Sequence, residues 1–216
     1  MTSTVMLAAV RTILDESSAS FWTDNEIYAA LADGQNEVIN KLLSVYRAKR
    51  QIDPETLLPL ELASISVKLN SFGAASAVAL PVGFLELIAA KWDHDNSGGK
   101  IPCRIITPSE AHFMENNTYL VATSTDPVVW IAVDAGGGLP SIIFRPVYST
   151  TGAYDIDYLD KPIDIASGVN AELPVNTHNA IVHFATSRML YKDQRVEEAQ
   201  IQYNLFLEQL KLMTGL

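Results

Sequence analysis

The sequence predicts an α+β protein: a helical bundle from the N- and C-terminal helices with an inserted, mainly antiparallel β region. Three observations carry that expectation. Apolar residues recur at steps of three and four as far as about residue 48, and again beyond about residue 173. Between them lie short alternating runs separated by Gly, Asn, Asp and Pro clusters, the pattern of strands and tight turns. No internal repeat or low-complexity segment interrupts this order. The expected division is 1–75 for the N-terminal helical part of the bundle, 76–172 for the strand-rich insert, and 173–216 for the C-terminal helical pair that completes the bundle.

The first helix is expected over residues 3–15, with Val5, Ala9, Val10, Ile13 and Leu14 as its apolar side. After "DESSAS" a second helix begins with unusual clarity. Thr23 is a good N-cap, Glu26 three residues on completes a capping box, and Trp22 and Ile27 are spaced for a hydrophobic staple. Ile27, Leu31, Val38 and Leu42 then share one face, with Gln35 as its polar interruption. Gly34 weakens this helix slightly. In "QIDPETLLPLEL", Asp53 reads as an N-cap and Pro54 as a first helical residue, starting a short turn and a segment through about residue 70.

"FLELIAAKW" and "KIPCRIIT" read as strands around a "DHDNSGG" hairpin loop, and "TPSEAHFMENN" as a short helix capped by Thr107 and Glu110. "VVWIAVD", "SIIFRPVY" and "AYDIDYL" are further strands. In the last, Tyr154, Ile156 and Tyr158 fall on the face opposite Asp155 and Asp157. The closing helices carry Ile181, Ala185 and Met189 on one face. Then Val196, Ala199, Tyr203, Phe206, Leu210 and Met213 form a seam too short for a free coiled coil.

Composition narrows the function classes. An apolar fraction of 48% with 19% charged residues belongs to a globular chain. No apolar run approaches the roughly 18 residues of a membrane span. The N-terminal apolar stretch lacks a basic leader and continues as an amphipathic helix, against a signal peptide. Cys103 is the only cysteine, so no intrachain disulfide forms; among strand formers it reads as a small core residue in a reducing, intracellular setting. The net charge of −10 disfavours broad binding to nucleic acid or anionic membranes. Residues 72–172 hold 5 basic and 12 acidic side chains, whereas "YRAKRQ" gathers Arg47, Lys49 and Arg50. Those three cations are expected near an acidic surface of a neighbouring subunit or other protein partner; the alternative is a solvated helix end complementing the helix dipole.

Catalytic patterns are weak throughout. His94 sits between aspartates in a loop without ligands at workable spacing. His178 and His183 are five apart, a poor match to a zinc pair on one helix, and read as a helix-start residue and a partly buried side chain. "DAGGGLP" lacks the Lys-Ser/Thr and following helix of a phosphate loop, and no G-x-S-x-G is present. Asp155 and Asp157 point the same way, into water, and nothing singles them out as a glycosidase pair. No catalytic, cofactor-binding or metal-ligating residue is therefore expected, and the chain reads as a non-enzyme.

Taken in order, the landmarks resemble one family. Leu14-Asp15, Trp22-Thr23-Asp24 and Asp33-Gly34-Gln35 resemble the N-terminal helical pair of head-to-tail adaptor (connector) proteins of tailed bacteriophages. Leu80, Pro81 and Phe84 resemble that family's approach to its sheet, and Tyr158 and Pro162 its strand end. "ELPVNTHNAIVHFATSRMLYKDQRVEEAQIQYNLFLEQL" is similar to its closing helices, with His178, Ala180, Ile181, Ala185, Ala199, Tyr203 and Phe206 in register. The resemblance implies a structural virion protein made in the host cytoplasm and placed in the neck. It implies a homo-oligomeric ring, commonly a dodecamer, between the portal protein and tail or neck proteins, with DNA passing through the channel without specific binding and no membrane involved. The alternatives are another neck or tail-completion protein or, from a different class, an intracellular hydrolase using acidic residues of the strand region.

Overall fold

The computed structural model describes residues 1–16, 21–53, 56–73, 77–93, 99–117, 121–133, 140–146 and 152–215. The chain divides into two compact units, Met1–Ile65 with Lys161–Leu216, and Ser66–Asp160. The first is helical: α1 (Ser3–Leu14), α2 (Asp24–Ile52), α3 (Leu60–Ala63), then, after the second unit, α5 (His178–Lys192) and α6 (Val196–Thr214). The second contains β1 (Ser66–Gly73), β2 (Ala77–Ala79), β3 (Phe84–Asp93), β4 (Ile101–Pro102), β5 (Arg104–Ile105), α4 (Pro108–Glu115), β6 (Val128–Val133), β7 (Pro140–Arg145) and β8 (Gly152–Asp160). The α+β class expected from the sequence is the class observed.

In the helical unit α5 is the hub, packed on by α1, α2 and α6. A helix contacted on three sides has little solvent face, and nine of its fifteen residues are buried, including Ala180, Ile181, Ala185 and Met189. The face expected on α2 is the buried one: Ile27, Leu31, Gln35, Val38 and Leu42 all lie inside. Its capping box forms, with Thr23 Oγ1 accepting from Glu26 N–H at 3.3 Å and Thr23 N–H donating to Glu26 Oε2 at 3.0 Å. Those Thr23 donors hold the Glu26 carboxyl below the usual carboxylate range.

Three consecutive residues bind α2 into the bundle. Asp33 accepts from Arg188 Nη1 at 2.7 Å. A Cβ on Gly34 would lie 2.8 Å from the Ile181 carbonyl oxygen, so the absence of a side chain allows α2 and α5 to touch backbone to backbone. Fully buried Gln35 donates to Ile163 O at 3.0 Å and accepts from Glu172 N–H at 3.1 Å. Glu172 in turn accepts from Ile163 N–H at 3.0 Å. The expected helix-weakening glycine is thus the residue that permits this close helix contact.

Several local expectations are corrected. On α1 the buried face is Met6, Val10 and Leu14 with Ser3 and Arg11, while Val5 is 51% exposed. Ser3 N–H donates to Asn170 Oδ1 at 2.8 Å, which sets the helix's rotation from its first residue. Asp53 is the C-cap of α2, not an N-cap: the helix runs on through the good formers of "RAKRQ" and stops where a following proline disfavours helical geometry. Pro54 itself lies outside the described residues. Residues 66–70 are strand rather than helical continuation, because "SVKLNSF" alternates and pairs antiparallel with β8 from Ser66↔Leu159 onward. On α6 the buried residues are Ala199, Phe206 and Leu210, while Val196 at the head of the expected seam is 56% exposed.

The strand-rich unit holds, among the described residues, two four-stranded sheets ordered β1-β8-β3-β4 and β2-β7-β6-β5. All ladders are antiparallel except β5·β6. "KIPCRIIT" is not one strand: β4 ends at Pro102 in the first sheet, and β5 begins at Arg104 in the second. Leu87, Ala90, Trp92, Tyr154, Ile156 and Tyr158 of the first sheet share one core with Val129, Ile142 and Phe144 of the second. Period-2 alternation turns Val128 and Trp130 the other way, onto Ala111 beneath α4. The compact unit spans Ser66–Asp160, against the expected insert of 76–172; residues 161–172 belong with the helices, where Gln35 holds them.

Gly34→Ala tests the helix contact. Alanine gains about 1 kcal/mol of helix propensity, but its Cβ meets a backbone carbonyl that cannot swing aside, and overpacking of that kind costs about 1–3 kcal/mol. Net destabilisation is expected by chemical denaturation. A variant more stable than the parent contradicts the close approach.

Candidate interaction surfaces

The corner between α1 and α2 is a constructed feature. Asp15 takes a left-handed conformation at φ 59, and the turn closes as a Schellman motif, Glu16 N–H to Arg11 O at 2.9 Å and Asp15 N–H to Thr12 O at 3.3 Å. The Arg11 guanidinium, nearly buried, donates to Glu16 Oε2 at 3.0 Å, to Trp22 O at 3.0 Å and to Asp24 Oδ1. Glu16 Oε1 accepts from the Phe21 and Trp22 N–H groups at 2.7 and 3.0 Å. Every charge taken from water here has hydrogen-bonded partners, which a buried ion pair requires. The corner leaves Trp22 half-buried, edge-on to Phe21 at 5.0 Å and beneath the Lys192 ammonium at 5.9 Å. Phe21 stands 65% exposed beside it.

The basic cluster lies on the last turns of α2. Arg47 and Lys49 are exposed and Arg50 is half-buried over the Tyr46 ring at 5.8 Å. Lys49 Nζ donates to Thr214 O at 3.0 Å. The sequence reading did not single out their neighbours: Ile52, Leu57 and Leu60 are each 84–88% exposed. The available signal was the placing of these apolar residues around two prolines: Ile52 before Pro54, Leu57 between Pro54 and Pro59, and Leu60 after Pro59. Neither helical nor strand periodicity gives them a core face there. Large apolar side chains left this exposed are of the kind that protein-binding surfaces carry.

The residues weighed for chemistry serve structure where they are described. His94 lies outside the described residues, as do residues 134–139 of "DAGGGLP". His178 opens α5 and is buried, its Nε2 within 2.9 Å of Leu173 O, and burial pushes its imidazole below the ordinary value. His183 is half-buried, Nδ1 to Gln202 Oε1 at 2.8 Å, tying α5 to α6. Asp155 does not face water alone: Lys100 Nζ donates to its Oδ1 and Lys68 Nζ lies 4.0 Å from Oδ2. Asp157 sits opposite Lys68 in the β1 ladder. Cys103 is half-buried against the inter-sheet core, and burial pushes its thiol up to about 12. Among the described residues no group of three or more His, Cys, Asp or Glu could hold a metal ion, and no helix is long and apolar enough to cross a membrane.

One apolar hollow of about 240 Å³ opens in the strand-rich unit, lined by Ile106, Met114, Val121, Val128 and Trp130, with Glu115 and Arg145 at its polar wall. Arg145 lies over the Trp130 ring at 5.3 Å and donates to Glu115 Oε1 at 3.3 Å. Its two charges thus neutralise each other, leaving a hollow suited to apolar contact.

A family model described as SU10 adaptor protein matches residues 1–215. No curated protein matches the chain significantly.

Two outcomes follow from the buried groups. Alkylation of Cys103 at pH 8 should be at least about a hundredfold slower in the folded chain than in denaturant, because thiolate is scarce and enclosed. Its raised pKa also means that stability holds below the free-thiol value of 9.0 and declines above it, as only the unfolded chain releases the proton. Equal labelling rates would contradict the core placement. Trp22→Ala should cost about 1–2 kcal/mol in thermal or chemical melting, less than the full cost of deleting a buried aromatic because the indole is half-exposed. Unchanged melting with failed assembly would make Trp22 an interface anchor instead.

Proposed function

The chain belongs to the SU10 adaptor protein family of phage head-to-tail adaptors, and from that premise we propose that it forms a ring between the portal and the tail through which DNA passes. As a phage adaptor it is a structural component of the virion that associates with other virion proteins. The family match carries the reading, because it spans both units rather than one motif. The neck is the position we assign to it, and a closed homo-oligomer, of about twelve copies as the family resemblance implies, is its form. The function is structural and involves no catalysis.

Electrostatics support passage rather than retention of DNA. A protein that holds DNA neutralises phosphates with Lys and Arg, and each such contact adds affinity. This chain has a net charge of −10, so a channel lined by it repels a polyanion and lets it slide. Attachment then falls to protein contacts, for which the cluster of Arg47, Lys49 and Arg50 with exposed Ile52, Leu57 and Leu60 is the candidate surface. The cations face an acidic surface of a neighbouring subunit, the portal or the tail.

Negative-stain microscopy of the purified protein mixed with portal should show rings stacked on portal. A monomer that ignores portal but joins isolated tails would move the assignment to a tail-completion protein; turnover on a substrate panel would favour a hydrolase. Replacing Arg47, Lys49 and Arg50 together with Gln should weaken assembly or portal binding and flatten its salt dependence. Binding unchanged at every salt concentration refutes the electrostatic contact.

A further inference from the structure

A strand at the edge of a sheet turns half of its backbone N–H and C=O groups outward, open to another strand. Among the described residues the two sheets end in four edges, β1 and β4 in the first and β2 and β5 in the second. Three of these are too short to template pairing. β4 and β5 have two residues each, β4 ending at Pro102, and β2 has three. β1 differs. Its eight residues, Ser66–Gly73, hold one register from Ser66↔Leu159 to Gly73↔Gly152, without a bulge or a proline. At about 3.3 Å per residue that is an edge of roughly 26 Å.

The side chains mark the same edge as open. Ser66, Val67, Lys68 and Asn70 are all exposed. Val67 and Leu69 stand opposite Tyr158 and Ile156 in the ladder, so they share the face that looks into the core between the sheets. Tyr158 and Ile156 are buried there and Leu69 is half-buried, yet Val67 is 38% exposed. The core runs out at β1 instead of closing over it. Lys68 and Asn70, opposite Asp157 and Asp155, face the other way. Lysine is a usual guard of an edge, but the Lys68 ammonium lies 4.0 Å from Asp155, over that face of the sheet.

We propose that β1 takes up an extended segment of a different virion protein, apolar on the side of Val67 and Leu69 and polar on the side of Lys68 and Asn70. Main-chain hydrogen bonds hold such a segment, and the alternation of its side chains selects it. A second copy of this chain does not fit. Pairing of β1 with β1 uses up both free edges and closes at two copies. Edges of two or three residues cannot pair along eight. The exclusion of a second copy rests on the ring reading above, in which the copies exceed two.

The test is hydrogen–deuterium exchange of the full chain, alone, with purified portal and with purified tails, alongside negative-stain images of each mixture. In the free chain the outward amides of β1 should exchange fast, and portal or tails should slow them at least about tenfold. Val67→Lys points a charge inward at the edge, which blocks strand addition. It should weaken that attachment at least about tenfold and leave rings of this chain intact. Circular-dichroism melting checks that the variant is folded, and the exchange of the parent needs no variant. Rings whose β1 amides neither partner slows overturn this proposal alone, as does attachment undiminished by folded Val67→Lys. Slowing already complete in rings without a partner makes the occupant a neighbouring copy and overturns the assignment to a different protein. A two-copy species that Val67→Lys dissolves overturns it as well. Slowing by tails without any ring overturns the ring reading and supports the strand addition. Neither rings nor slowing overturns both.

Discussion

The helical unit depends on the backbone-to-backbone approach of α2 and α5 at Gly34. With a Cβ only 2.8 Å from Ile181 O, any other residue must move one helix away from the other. Close approach brings the flanking residues into range. Asp33 reaches Arg188 on the outside, and on the inside Gln35 reaches two backbone groups of the segment that follows β8. An amide can satisfy a carbonyl and an N–H at once, which neither an apolar side chain nor a carboxylate can do. A fully buried glutamine is therefore the residue that fixes where the returning chain meets the bundle.

Helix ends supply the next constraint. The turns after α1 and α5 both close as Schellman motifs around non-glycine residues, Asp15 at φ 59 and Gln194 at φ 61. A left-handed non-glycine costs roughly 1 kcal/mol, and the surroundings offset it differently at each place. After α1, the Arg11–Glu16 pair gathers the carbonyl and N–H groups of the incoming chain. After α5, Arg195 donates to Glu198 and reaches Leu14 O at 3.4 Å. Both corners thus use an arginine to set the direction of the following helix.

The strand-rich unit works by alternation on both faces of one strand. Val129 serves the core between the sheets, and Val128 and Trp130 serve the layer under α4. A strand buried on both faces reads as the continuous run "VVWIAV", whereas β8, with one face turned to the core and lysines over Asp155 on the other, reads as clean alternation.

Local signals were legible in the sequence alone. Both capping boxes, the buried face of α2, the alternation of β8 and the return to helices near residue 178 are set by interactions within a few residues or by simple periodicity, so they survive without tertiary context. The same reading missed the C-cap role of Asp53, the strand at 66–73 and the break at Cys103, because partners distant in the chain decide whether a short polar alternating segment pairs. The candidate surface was half legible. Arg47, Lys49 and Arg50 stand out as charges, but Ile52, Leu57 and Leu60 look like core residues until the packing leaves them outside. Gly34 reverses sign for the same reason. Helix propensity is a property of the chain next to it, whereas the carbonyl that needs its missing side chain comes from a helix almost 150 residues later.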